Sequence, residues 1–298
     1  MAPAVGSSTA AAAVAGLSAS DKAEVLVEAL PYIRRFRGTT VVVKYGGNAM
    51  GGSEELALFA DDVVLLRAVG MNIVVVHGGG PQIGELMARL GKVPQFVDGL
   101  RVTDADTLDI ARMVLVGKVN RDLVAAINVS GAPAVGVSGE DAGLLQARAR
   151  SVELGFVGDI DEVRPAILQR LLNEELVPVV ATIGTDEEGQ AYNINADTAA
   201  GAIAEALGAE KLVYLTDVEG LRRRPDDASS VLSTVSVDEL DAMVDEGAVA
   251  GGMVPKAASC TRAVRAGVAH AHILDGRIPH VLLLEVFTRS GIGTMVAR

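Results

Sequence analysis

The sequence is short of residues that several protein classes depend on. It has one cysteine, Cys260, so no internal disulfide can form and a reducing compartment fits. Cys260 lies in an alanine-rich helical stretch and reads as a small buried hydrophobe rather than a nucleophile. Tryptophan is absent and no run of 18 apolar residues occurs, so no membrane-spanning helix is expected. Positive charge is scarce: 26 Lys and Arg face 38 Asp and Glu, for a net charge of −12. That argues against nucleic acid or an anionic membrane as the main partner, since both require a broad basic surface. A small anionic ligand needs only a few well-placed cations. The familiar phosphate motifs are missing as well. GxxxxGK[ST] does not occur, and in HGGGPQIG the position that GxGxxG reserves for its last glycine is Ile83. No HExxH or Cys/His cluster suggests zinc.

Half the residues are hydrophobic, and a chain of 298 residues can bury a large core in one domain or in two lobes. Residues 2–20 are low-complexity Ala/Ser/Gly without the basic start of a secretory signal. They read as a transit-peptide remnant or a disordered leader. Residues 21–36 have helical apolar spacing, with Asp21 near the start and arginines at the end, and Pro31 is expected to kink or divide that helix. A β–α alternation follows. TTVVVKY, MNIVVVH, LVPVVATIG, KLVYLTD and HAHILD read as strands. Segments 54–70, 81–91, 166–175 and 197–208 read as helices. Such alternation predicts parallel strands joined by right-handed crossovers, covered by helices on both faces, with ligands at the carboxyl ends of the strands. DEEGQ reads as a hairpin tip.

The strand ends carry the unusual chemistry. Lys44 is followed by Gly46 and Gly47, and His77 by Gly78, Gly79 and Gly80 before a helix start. Both turns present unhindered N–H groups to an anion, and the lysine adds charge. His77 reads as a residue that holds its loop by a hydrogen bond, rather than as a base or metal ligand. Arg101 lies in a glycine-containing loop and suits a carboxylate. Asn193 and Asn195 precede Asp197, which reads as the N-cap of an alanine-rich helix and as a carboxylate able to orient two lysines. Thr216 and Asp217 end a strand and either line a nucleotide site or form a turn. Lys256, near the start of a helix after Gly251 and Gly252, opposes the helix dipole, which suggests an anion beside it.

Taken in order, VVVKYGGNAM, VVVHGGGPQI, GLRVTD, NINAD, LTDVEGL and GGMVPK resemble the amino acid kinase family over about residues 20–298. The resemblance implies an α/β fold, an αβα sandwich around a mainly parallel sheet of about eight strands, in two lobes. The expected division is a disordered leader over 1–20, an oligomerising N-terminal helix over 21–37, an acetylglutamate-binding and dimerising lobe over 38–205, and an ATP-binding, arginine-regulated lobe over 206–298. GLRVTD and NINAD are similar to the members that phosphorylate the side-chain carboxylate of N-acetyl-L-glutamate. In this family pattern Lys44 and Lys256 neutralise the migrating phosphoryl group, Gly47 and Gly80 donate N–H groups to it, and Asp197 holds the lysines. Gly79, Gly80, Arg101 and Asn193 would bind acetylglutamate. Thr216, Asp217, Gly220, Leu221, Gly252, Met253 and Lys256 would line ATP, whose Mg2+ takes no protein side chain as ligand. The segment 272–296 resembles arginine-sensitive members, with Lys211, His272, Glu285 and Gly291 as the arginine site. Those members are typically hexamers, trimers of dimers joined through the N-terminal helix. The leader resembles that of a chloroplast enzyme, for which a PII signalling protein is the expected partner. The alternatives are a related kinase acting on acetyl-aminoadipate and a catalytically dead sensor, the latter opposed by the presence of both lysines and Asp197.

Overall fold

A computed structural model describes residues 16, 18–47, 50–97, 99–224, 226–288 and 291–298. Most of the leader expected over 1–20 lies outside the described residues.

The β-branched runs become the centre of one eight-stranded sheet. Its first-half strands are β1 (Thr40–Tyr45), β2 (Asn72–His77), β5 (Ala134–Ser138) and β8 (Val177–Ala181). Its second-half strands are β11 (Lys211–Thr216), β12 (Thr234–Ser236), β13 (His270–Asp275) and β14 (Thr294–Ala297). The order across the sheet is β12-β14-β13-β11-β1-β2-β8-β5. All neighbours are parallel except β13 and β14. The strands before residue 200 thus form one half and those after it the other, and the halves meet where β1 pairs with β11. A crevice opens at the carboxyl ends of strands at such a junction.

Side-chain alternation places a separate core on each face. Val41, Val43, Tyr45, Ile73, Val75 and Val179 belong to one buried cluster, and Val42, Val74, Val76, Val180 and Leu212 to the other. The first is covered by α1 (Ala19–Phe36), α2 (Ser53–Ala68), α3 (Gly80–Arg89), α4 (Ala105–Arg112), α5 (Asn120–Ser130) and α10 (Val281–Phe287). The second is covered by α6 (Ala166–Asn173), α7 (Ala196–Ala206), α8 (Val237–Asp245) and α9 (Met253–Arg265). This is the αβα sandwich expected from the sequence.

Three local expectations are corrected. The helix at the N-terminus begins at Ala19, because Ser18 and Asp21 form a reciprocal capping box (Asp21 N to Ser18 Oγ, 3.1 Å; Ser18 N to Asp21 Oδ2, 3.0 Å). It also runs undivided through Pro31. Pro31 cannot donate to the Val27 carbonyl, but Val27 is exposed, so water can take that bond. The strand expected over 176–184 breaks at Thr182 into β8 and β9 (Ile183–Thr185). β9 turns through the expected DEEGQ tip into β10 (Ala191–Ile194), antiparallel to it. With β6 (Leu145–Ala149) and β7 (Val157–Val163), these two close a small four-stranded barrel beside the crevice, while β3 (Phe96–Val97) and β4 (Leu100–Arg101) pair antiparallel by themselves.

Candidate active site

Lys44 is the penultimate residue of β1. It points off the sheet toward α7, on the side opposite its neighbours Val43 and Tyr45. Asp197 sits in the first turn of α7 and Lys256 in the first turn of α9. These three come from distant parts of the chain and meet on one carboxylate. Asp197 Oδ1 is 3.0 Å from Lys44 Nζ, and Oδ2 is 2.9 Å from Lys256 Nζ. All three residues are buried, at 9% exposure or less. Burial alone would push the Asp197 carboxyl up. The two ammonium groups outweigh it and hold the carboxyl below the ordinary carboxylate range. Burial pushes Lys44 down, with Asp197 opposing and Lys256 reinforcing the shift.

The expectation that Asp197 caps α7 is wrong, for an instructive reason. The cap is Asn195, whose Oδ1 accepts from Asp197 N at 2.9 Å and Thr198 N at 3.1 Å. With the helix terminus satisfied by Asn195, the Asp197 carboxylate is left for the lysines. The anion that Lys256 was expected to face near its helix terminus is this carboxylate.

The glycine turns stack against one another at the same crevice. A Cβ on Gly46 would lie 3.0 Å from Gly78 N, and one on Gly79 would lie 2.7 Å from Leu115 Cδ2. Gly47 has φ +71°, in the left-handed region that favours glycine. Gly80 is different, since a Cβ there meets nothing within 4 Å. It opens α3 into a cavity of about 250 Å3 that is also lined by Lys44, Gly47, Gly79, Arg101, Asn193 and Asp197. Arg101 donates through Nη2 to Gly80 O at 2.9 Å and lies 4.9 Å over the Phe96 ring. Among the described residues no carboxylate lies within ion-pair distance of it, and burial pushes its guanidinium below the ordinary arginine value. Leu115, from the π-helical segment Met113–Val119 between α4 and α5, and Thr182, at the β8–β9 break, line the same cavity. Neither has a local sequence signal. His77 behaves as expected of a loop anchor. It is fully buried, with Nδ1 3.0 Å from Gly78 O and Nε2 accepting from Asn120 Nδ2 at 3.1 Å, and burial pushes it down to about 4.

A second cavity, on the β11 side, is lined by Asp217, Gly220, Leu221 and Met253 together with Val249 and Arg277. Thr216, buried at the end of β11, Gly252, the N-cap of α9, and Lys256, bound to Asp197, do not line this cavity. Gly220 packs so closely that a Cβ would lie 2.7 Å from Thr294 Oγ1. A third cavity, of about 550 Å3, brings together Lys211, Glu285 and Gly291 with Tyr32, Arg35 and Phe36 of α1. His272 lies beneath it, fully buried. Its Nδ1 is 2.9 Å from Glu285 Oε1 and its Nε2 is 3.1 Å from Lys211 Nζ. The Glu285 side chain is itself only 9% exposed. Burial works against its ionisation, but His272 and Lys211 hold its carboxyl below the usual range.

Two buried ammonium groups thus share one carboxylate beside glycine turns at strand ends, without a P-loop. The chain belongs to the amino acid kinase family, matched over residues 39–275. Among its relatives is the acetylglutamate kinase of Symbiobacterium thermophilum, 54% identical over 94% of this chain and 99% of that protein. Its structure resembles the N-acetylglutamate synthase of Neisseria gonorrhoeae at 32% identity. With coenzyme A and N-acetyl-glutamate bound, that structure gives a TM-score of 0.82 and covers 93% of this chain. With coenzyme A and L-arginine bound, it gives 0.80 and covers 92%. The chain spans only 63% and 65% of the two synthase chains. The carbamate kinase of Giardia lamblia, solved with AMP-PNP, shares the fold at a TM-score of 0.64 and 18% identity, covering 88% of this chain and 99% of that one.

Proposed function

We propose that the chain transfers the γ-phosphoryl group of ATP to the side-chain carboxylate of N-acetyl-L-glutamate, in arginine biosynthesis. The observation that carries this reading is the Asp197 carboxylate, which lines the glycine-rich cavity with Lys44 and holds both Lys44 and Lys256. A carboxylate is already a nucleophile at neutral pH, so the protein has no proton to abstract. Its task is positioning and charge stabilisation. Arg101 takes the α-carboxylate of the acceptor, with Asn193 and the Gly79–Gly80 backbone completing the cradle. Lys44 and Lys256 face the phosphoryl group, and Gly47 and Gly80 N–H groups meet its oxygens. The nucleotide occupies the Asp217–Leu221 and Gly252–Met253 region. The Mg2+ is carried on the phosphate oxygens of the nucleotide. That ion supplies charge neutralisation on the triphosphate. The test is hydroxamate formation by the full chain with ATP, Mg2+ and N-acetyl-L-glutamate, with acetyl-aminoadipate as the competing acceptor. Absence of hydroxamate from acetylglutamate refutes the reading.

Feedback inhibition by arginine belongs to the same proposal. It is supported by the convergence of Lys211, Glu285 and Gly291 on one cavity under α1, and by the similarity to a synthase solved with L-arginine. A carboxylate is the natural partner of a guanidinium. Glu285→Gln is expected to raise the arginine concentration for half-inhibition by at least about tenfold, given that charge-assisted bonds contribute roughly 1.5–3 kcal/mol. A hexamer joined through α1 is proposed from the exposure of Val25, Leu26 and Leu30 on that helix. The two-lobe division near residue 205, the plastid location and the PII partner rest on the sequence resemblance, and the matched acetylglutamate kinase is bacterial.

A further inference from the structure

Behind the lysine–aspartate centre lies a buried polar contact that the proposed chemistry does not use. Tyr214, in the middle of β11, has no exposed surface. Its hydroxyl donates to Ser259 Oγ at 2.6 Å and lies 3.1 Å from the backbone carbonyl of Asp197. Ser259 Oγ donates to the same carbonyl at 2.9 Å. Ser259 follows Lys256 by three residues in α9, so the two share a helix face. The Lys256 ammonium lies 5.0 Å over the Tyr214 ring. One tyrosine therefore touches both halves of the centre, the Asp197 main chain through its hydroxyl and the Lys256 charge through its ring. Burial keeps the phenol well above its ordinary titration range, so it remains a donor. α7 approaches closely at this point: a Cβ on Gly201 would lie 2.3 Å from Ser259 Oγ.

We propose that Tyr214 and Ser259 are positioning residues for phosphoryl transfer: they tie α7 and α9 to β11, so that Asp197 and Lys256 keep their register when the phosphoryl group draws the lysine forward. This deepens the proposed function and rests on it. The physical need is clear. An ammonium released from Asp197 toward a phosphate has several rotamers available, and the aromatic face restricts it to those directed at the cavity. The carbonyl clamp restricts the partner carboxylate in turn. Neither residue lines the acceptor cavity, so both act through Lys256 and Asp197.

The effect should appear in turnover rather than in acceptor binding. Tyr214→Phe keeps the ring and loses the clamp, and should lower kcat about fivefold. Tyr214→Leu loses both and should lower it about thirtyfold. KM for acetylglutamate should stay within about twofold in each. In a Lys256→Ala background Tyr214→Leu should lower kcat only about as much as Tyr214→Phe, because the ammonium that the ring restrains is gone while the clamp on Asp197 remains. A loss from Tyr214→Leu as large as in the parent enzyme overturns the proposal. Binding of MgADP, measured calorimetrically, reports whether each variant is folded, and Ser259→Ala replaces any variant that does not bind it. A crystal structure of Tyr214→Leu supplies a readout independent of turnover, in which Lys256 Nζ should leave hydrogen-bond distance of Asp197 Oδ2. An unmoved ammonium overturns the proposal whether or not acetylglutamate is the acceptor. A parent enzyme inactive on acetylglutamate, by contrast, overturns only the assigned function.

Discussion

Asp197→Asn removes one charge from the centre and preserves its shape. Each ammonium lies 2.9 or 3.0 Å from a carboxylate oxygen. At an effective dielectric of about 20, each attraction is worth roughly 5–6 kcal/mol before desolvation. Withdrawing three ions from water costs several kcal/mol apiece, so the intact triad comes close to breaking even. The asparagine variant keeps the desolvation cost of two ammonium groups, lets them repel each other and removes what joined them. We expect a loss of about 3–5 kcal/mol in stability. Turnover should fall on the order of 10²–10³, as when one preorganised charge contact is removed from a transition state. The pH dependence gives a sharper signature. Burial pushes Lys44 down and Asp197 is the largest opposing influence. Without that carboxylate Lys44 loses its proton at lower pH, so the alkaline limb of kcat moves to lower pH in the variant. Hydroxamate formation across pH, with thermal unfolding in parallel, measures both effects. A variant with kcat within about threefold of the parent and an unmoved alkaline limb would refute the role assigned to Asp197.

Gly79→Ala places a methyl 2.7 Å from Leu115 Cδ2 and should cost about 1–3 kcal/mol of stability in chemical denaturation. Gly80→Ala, with nothing within 4 Å, should leave stability unchanged and raise KM for acetylglutamate; equal denaturation curves for the two variants would contradict the packing described. Arg101→Ala should raise KM for acetylglutamate by about 10–100-fold, through loss of a charge-assisted carboxylate contact, with a smaller change in KM for ATP. His77 is held at about 4, against 6.5 unperturbed, so between those values the unfolded chain binds the extra proton. Its contribution is therefore complete above pH 6.5 and falls by about 3 kcal/mol as pH drops to 4, and His77→Gln should flatten that slope in pH-dependent unfolding.

The two glycine turns were legible because they follow strands whose continuous β-branched runs announce burial on both faces. Knowing that one strand ends just after Lys44 and another at His77 is enough to place both turns at one edge of a parallel sheet. The barrel strands β6 and β7 were not legible. β6 (LQARA) is short and β7 (VGDIDEV) mixes Gly and Asp with its apolar residues, so neither shows the continuous β-branched run of the sheet strands. The segment Met113–Val119 gave no sign of its π-helical course, because MVLVGKV holds no residue type that marks one. The capping assignment failed at one position for a related reason. Asn195 and Asp197 are both good caps, and only the chain's path past Lys44 and Lys256 determines which of them is drawn away from the helix terminus.

Local chemistry along the chain was sufficient to specify the alternation of strands and helices, the anion-ready turns, and a lysine at each of two distant points. These depend on residues within a few positions of one another, where backbone preference and side-chain period act directly. The tertiary structure alone decided that Lys44, Asp197 and Lys256 share one carboxylate, and that Tyr214 and Ser259 stand behind it. It likewise decided that α1 closes over the Lys211–His272–Glu285 network. Those meetings depend on the pairing of β1 with β11 and on helices packed from opposite ends of the sequence, distances that no short-range pattern encodes.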